Sequence, residues 1–328
     1  MGIQWRGGVK MAKVVTIGES MIIFQTMQIG NLEDQLYVQQ KVGGAESNYA
    51  VGLARLGNEV KYMSQVGDDP FGKKILKTIR AEGVNVAHLT VMPNMRTGLL
   101  FKEQSTKARM NVYYYRDRSA ASYMSTESLP EDFFEGTVFF HVTGITPAIS
   151  ESCRALIFAA IEKAKNLGVK IIFDPNIRFK LWKKEQAFKT LNELVDLADY
   201  VLAGEDEGAF LTNETNEQKM CEILSRNESK IVILKRGHLP TLIFAEGAFK
   251  EVPTQKVEHI LDTVGAGDAF AAGFTHGLLN NYSLEESVCI GNIAGACVIQ
   301  QFGDIEGLPT LQQLQQLLSE EKTSDVLR

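Results

Sequence analysis

The chain has 328 residues, 45% of them hydrophobic, enough for a large core in one α/β domain or two smaller ones. Charged residues make up 23% and the formal net charge is −6, so there is no general attraction for nucleic acid or an anionic membrane, and an anionic ligand must be held by local donors. The cysteines Cys153, Cys221, Cys289 and Cys297 form no CxxC pair and the five histidines no HExxH pair, which argues against a zinc site or a disulfide framework and suits a reducing cytosol.

The start, MGIQWRGGVK, lacks the apolar stretch of a signal peptide, and no apolar run approaches the roughly 20 residues needed to span a bilayer. Met11 directly precedes the first strand-like run, Val14 to Ile17, so residues 1–10 read as an extension outside the fold. Strands at 14–17 and 60–66 alternate with helices at about 45–56 and 71–82. Segments 22–40 and 96–116 fit no β-α unit. Within the second, Thr97 to Glu103 and Arg109 to Tyr115 read as a hairpin, and together the two segments predict a small β lid.

From Val138 onward, short apolar strands alternate with helices. Strand 138–142 precedes a helix at 152–167 ended by Gly168, then strand 170–173, helix 185–198, strand 200–202, a helical region at 206–226 and strand 231–234. Such strands are buried on both faces and parallel. Pro240 to Val252 reads as a hairpin turning at Glu246-Gly247, and helices at about 266–279, 284–301 and 310–321 close the chain. The expected fold is α/β, a mainly parallel sheet with helices on both faces plus a β lid, in a single domain over 11–328.

The sharpest motif is Asp262-Thr263-Val264-Gly265-Ala266-Gly267-Asp268, followed by the apolar helical run from Ala269-Phe270. Small residues leave the backbone N–H groups unhindered at a helix start, a geometry that binds phosphate and stabilises charge developing during transfer. Asp268 falls in the first turn, where a carboxylate can take a hydroxyl proton as the oxygen attacks a γ-phosphorus. A lone GxGD would read as a helix cap; this run is longer. Two near-motifs fail. Gly67 to Lys74 approaches a P-loop but lacks its Ser/Thr and carries Asp68 and Asp69, so it reads as a turn capping the helix from Phe71. Phe270 stands where a dinucleotide fingerprint needs its third glycine.

The stretch Asp262 to Thr275 resembles the C-terminal signature of the ribokinase-like (PfkB) carbohydrate kinases. A second signature lies in Gly43-Gly44-Ala45-Glu46-Ser47-Asn48-Tyr49-Ala50, followed by Gly57 and Gly67. Glu46 departs from the general pattern, where a small residue is usual, but the form GGAExN is typical of the 2-keto-3-deoxygluconate kinase branch. The resemblance spans about residues 13–312. It implies ATP with Mg²⁺, Asp268 as base, and the Gly265, Ala266 and Gly267 amides as an anion hole. It also implies that Gly43, Gly44, Ala45 and Asn48 serve the sugar, and many relatives pair through lid strands into a dimer.

Three segments bear on substrate. Tyr113 to Ser122 contains Tyr114 and Arg116; by spacing alone this is either an edge strand with aromatic pairs or a carboxylate grip. Its form YYRxxSAAS resembles the ketodeoxygluconate kinases, which implies that Tyr114 and Arg116 reach the substrate and that Arg116 meets its carboxylate. Asp174-Pro175-Asn176-Ile177-Arg178 follows a buried strand, at the edge where open α/β sheets bind ligands. Asp174 could cap the next helix with Arg178 in a surface pair, or Arg178 could stabilise the transferring phosphoryl group. The resemblance favours Asn176 and Arg178 in the site. In Gln301-Phe302-Gly303-Asp304, Asp304 reads as a turn residue, whereas the resemblance implies a substrate contact.

On the nucleotide side, Lys235 and Gly237 occupy the family's KxGxxG position, with Pro240 replacing the second glycine. Glu207 survives from an NxxE motif whose glutamate organises magnesium, usually through water, so no direct metal ligand is expected. The acidic run Glu205 to Glu207 also suits a solvated helix start. Asn292 falls where the family lines the adenine pocket, and equally suits helix packing. The predicted ligands are thus a small sugar acid and ATP, with neither nucleic acid nor membrane. Other kinases of the family, acting on ketodeoxygalactonate, fructose or ribose, and a non-catalytic sugar sensor are the alternatives.

Overall fold

The computed structural model describes residues 13–106 and 109–326; the suspected extension over 1–10 lies outside them. The strands are β1 (Lys13–Ile17), β2 (Met21–Thr26), β3 (Val38–Gly43), β4 (Val60–Gly67), β5 (Asn85–Met92), β6 (Leu99–Thr106), β7 (Arg109–Tyr115), β8 (Thr137–Thr143), β9 (Lys170–Asp174), β10 (Tyr200–Gly204), β11 (Ile231–Lys235), β12 (Thr241–Ala245) and β13 (Ala248–Val252). The helices are α1 (Ala45–Arg55), α2 (Pro70–Ala81), α3 (Thr146–Ile149), α4 (Glu151–Asn166), α5 (Lys184–Leu197), α6 (Glu205–Thr212), α7 (Glu217–Leu224), α8 (Ala266–Leu279), α9 (Leu284–Val298) and α10 (Leu311–Val326).

Nine strands form one sheet in the order β13-β12-β11-β10-β9-β8-β1-β4-β5. It is parallel from β11 through to β5, and the β12–β13 hairpin adds an antiparallel edge. Successive residues of each central strand enter opposite cores, as the two-residue period of a strand dictates. Val15, Phe140, Ile171, Phe173 and Val201 face helices α4 to α7. Val14, Phe139, Ile172 and Leu202 face the layer of α1, α2, α8 and α9. This is why these strands read as unbroken apolar runs.

The second sheet has four strands in the order β3-β2-β6-β7 and is the lid expected from 22–40 and 96–116. Its β6–β7 hairpin pairs Leu100 with Tyr114 and Leu99 with Tyr115. Three details differ from the sequence reading. β5 is an additional edge strand beyond β4. The helical region 206–226 is two helices, because Asn213 adopts a left-handed φ of 55° that ends α6. The last helices also end elsewhere, α9 at Val298 and α10 at Val326. The glycine-rich near-motif is a cap, since Asp69 accepts from the Gly72 amide at 2.8 Å and from Thr97 N at 2.8 Å.

Candidate active site

A cleft of about 780 Å³ opens between the lid and the carboxyl ends of the parallel strands. The start of α8 forms its floor. Gly265 precedes the helix with φ 86° and ψ −10°, and a Cβ there would stand 2.9 Å from the Asp304 carbonyl oxygen, so the turn needs glycine twice over. Asp262 Oδ1 accepts from Val264 N at 3.0 Å and fixes the approach. The amides of a first helical turn lack intrahelical acceptors. The Ala266 amide leans on Thr263 O at 3.4 Å. A Cβ on Gly267 would lie 3.6 Å from Lys235 Nζ.

Asp268 is 7% exposed. Asn48 Nδ2 from α1 donates to its Oδ2 at 2.8 Å, and Asn176 Nδ2 from the loop after β9 donates to its Oδ1 at 3.3 Å. Burial pushes its carboxyl up to about 7; Asn48 and Arg178 oppose the shift, while Asp174 and Asp304 add to it. The group is therefore poised near neutrality, where a general base works best. Asn48 Oδ1 is buried with no hydrogen-bond partner among the described residues and lines the cleft.

Asp174 ends β9, and Lys235 Nζ at the end of β11 lies 3.4 Å from both its oxygens. Burial disfavours the Lys235 ammonium, but Asp174 and Glu207 outweigh this and keep it charged. Glu207 holds the loops together: Oε2 accepts from Gly204 N at 2.8 Å and Oε1 from Ile177 N at 3.0 Å. Asn176 takes a left-handed φ of 39°, which aims its amide at Asp268. Arg178 is exposed at the mouth. Among the described residues, no cluster of three or more His, Cys, Asp or Glu side chains could hold a metal ion.

Tyr114 and Arg116 enter from the end of the lid. The guanidinium lies 5.7 Å from the Tyr114 ring centre and is ion-paired with Glu19, which also accepts from Ser119 Oγ. Arg116 Nε is buried and has no acceptor among the described residues. Glu46 lies alongside, its Oε1 accepting from Thr143 and Thr146, and burial pushes its carboxyl up. Gly44 has φ 153°, and a Cβ there would strike the Glu19 carbonyl oxygen at 2.2 Å. Glycine thus lets α1 begin against the site.

Asp304 meets Lys102, a lid residue on β6 whose Nζ also lies 3.3 Å from Asp262. Glu19 and Lys102 escaped sequence reasoning. Lys102 bonds residues 160 and 202 positions away, beyond any local pattern. Glu19 had one local clue, its place directly after β1 at the carboxyl edge of the sheet.

Gly44, Ala45, Asn48, Tyr114, Arg116, Asn176, Arg178, Glu207, Lys235, Gly265, Gly267, Asp268 and Asp304 line the cleft together. Gly43, Ala266, Gly237 and Asn292 do not. Gly43 lies behind Asp304, whose Oδ2 would be 2.6 Å from its Cβ. A Cβ on Gly237 would meet nothing within 4 Å. The Asn292 amide is spent inside the fold, accepting from Thr241 Oγ1 at 2.8 Å and donating to Pro253 O at 3.0 Å. That is the packing alternative.

The chain is 37% identical, over 94% of its length and 96% of the relative's, to the 2-dehydro-3-deoxygluconokinase of Bacillus subtilis (strain 168). Among solved structures, a 2-dehydro-3-deoxygluconokinase from Thermotoga maritima superposes with a TM-score of 0.85 at 25% identity, covering 94% of this chain and 99% of that one. A fructokinase from Vibrio cholerae O395, in a form with fructose, ADP and calcium ion bound, gives 0.83 at 26% identity, with coverages of 94% and 99%. The sequence pattern of the pfkB family carbohydrate kinases matches residues 11–311, the span that contains both sheets and every residue of the cleft, and the chain belongs to that family.

Proposed function

We propose that this chain transfers the γ-phosphoryl group of ATP to the primary hydroxyl of a sugar acid, with 2-keto-3-deoxygluconate as the substrate that fits best. One observation carries the reading. Buried Asp268, whose carboxyl burial pushes up to about 7, shares one cleft with a glycine-bounded helix start and with a lid arginine whose buried Nε has no acceptor among the described residues. The B. subtilis relative's name points to the same substrate.

The sugar acid would lie between lid and sheet. Arg116 Nε would donate to its carboxylate, with Tyr114 beside it, while Asn48 Oδ1, Asp304 and the Gly44–Ala45 backbone would hold its hydroxyls. Asp268 would take the proton of the attacking hydroxyl, its oxygens kept in place by Asn48 and Asn176. The Gly265 and Gly267 amides, with Lys235 and Arg178, would stabilise the charge on the transferred group. Mg²⁺ neutralises phosphate oxygens when bound with the nucleotide. Glu207, whose oxygens both accept backbone amides, would meet it through water. Gly237, in a loop braced by Arg236 bonds to Glu217, Glu251 and Pro240 O, would approach the nucleotide from outside the cleft. Leu36 and Tyr37, exposed on the lid at 90% and 79%, support pairing of two copies through that sheet.

ADP release would be measured with Mg²⁺-ATP on 2-keto-3-deoxygluconate, its galactonate epimer, gluconate, fructose and ribose, for the parent and Arg116→Ala. The expected result is a strong preference for the ketodeoxy acids. Arg116→Ala should raise KM for them by about 10–100-fold, the cost of one charge-assisted pair, and leave neutral sugars unchanged. A parent that prefers fructose or ribose, or a variant that loses acids and neutral sugars alike, would refute the carboxylate reading.

A further inference from the structure

The turn that would receive phosphate is flanked by two acids. Asp262 lies three residues before Gly265, and Asp304 presses its backbone against the same glycine. Uncompensated carboxylates there would repel the anion that the turn amides attract. Lys102 is the cation that answers both. It is 1% exposed, reaches from lid strand β6, pairs with Asp304, and lies 3.3 Å from Asp262. Burial disfavours its ammonium, yet the two carboxylates outweigh this and keep it charged. A second lid lysine acts on the same segment, since Lys41 Nζ donates to Phe302 O at 2.6 Å. Two lid strands therefore hold residues 302–304 against the α8 turn.

We infer that Lys102 is a positioning and charge-compensating residue for the phosphate turn, tying the lid to that turn and cancelling part of the negative field of Asp262 and Asp304. This rests on the nucleotide half of the proposed function, not on the identity of the sugar. With Lys102 the three-residue cluster carries one net negative charge; without it, two. The effect must grow with the charge of the nucleotide's terminal phosphates. It should be absent for a nucleotide too short to reach the turn.

The test is calorimetric binding of AMP, ADP and the non-hydrolysable analogue AMP-PNP, each with Mg²⁺ at pH 8, to the full-length parent, Lys102→Met and Asp262→Asn. Lys102→Met is expected to weaken AMP-PNP by about 10-fold while AMP changes less than about twofold. Asp262→Asn keeps an acceptor for the Val264 amide but removes a charge, and should tighten AMP-PNP by about threefold. Unchanged AMP-PNP affinity in a folded Lys102→Met, or an equal loss for AMP, would overturn the inference. Should Lys102→Met fail to fold, Asp262→Asn decides alone, and AMP-PNP bound no tighter than by the parent counts against it. A parent that binds no nucleotide overturns the kinase reading and this inference together; a wrong choice of sugar shows only in the substrate panel.

Discussion

Asp268, the proposed base, would trade stability for chemistry. Burial raises its carboxyl from an ordinary value of 3.8 to about 7. Between those values the unfolded chain has released the proton while the native chain keeps it, so stability falls as pH rises through that window. Above about pH 7 the native group ionises and the cost stays constant. Asp268→Asn should lose this slope and be more stable than the parent at pH 8, by on the order of 2 kcal/mol. Denaturant melts of both proteins at pH 4 and pH 8 check this. Equal pH slopes would mean that Asp268 is solvated rather than desolvated. Asn48 and Asn176 keep the ionised form from being costlier still, since both donate to it.

At the scale of elements, the α8 turn is the most constrained piece. Gly265 combines a left-handed φ with a backbone neighbour 2.9 Å from a would-be Cβ. Gly265→Ala should therefore cost about 1–2 kcal/mol from backbone strain alone. It should also lower kcat by more than about 10-fold, because the amides swing away from the phosphoryl position. Thermal melts and steady-state rates report the two effects, and an Ala variant with parental kcat would show that the turn is not the anion hole. Elements of this kind were legible because their rules are local. The apolar strands, Gly168 after α4, and the Glu246-Gly247 turn with φ of 51° and 73° all follow from short-range preferences. β5 was harder. It is an edge strand in which only Val86 and Leu89 are buried, with exposed Ala87 and half-buried His88 between them, so it presents no continuous buried face. The break at Asn213 rests on a single left-handed residue within a helical pattern.

For the whole molecule, the cleft gathers residues from the loop after β1 to the segment after α9. The glycine-bounded ends of those elements could be read from spacing and resemblance. The charges that balance the cleft could not. Arg116 is visible as a lid arginine, but its partner Glu19 lies 97 positions earlier and in no motif. Lys102 likewise has meaning only once β6 is folded over the α8 turn. Asn292 shows the converse. Its sequence position suits the adenine pocket and helix packing equally, and its side chain is committed to Thr241 and Pro253. Local geometry follows local sequence, whereas electrostatic compensation is settled by the tertiary fold.

The most direct test of the central claim is the pH dependence of kcat/KM for the parent and Asp268→Asn on the preferred sugar acid, with AMP-PNP binding as a control for folding. The parent's rate should rise with pH through a midpoint near pH 7, where Asp268 ionises, and level off above it. The variant should bind AMP-PNP within about threefold of the parent, turn over about 10²–10⁴-fold more slowly, and lose that limb. A variant that turns over at the parental rate, or keeps a limb near pH 7, would contradict the assignment of Asp268 as the base.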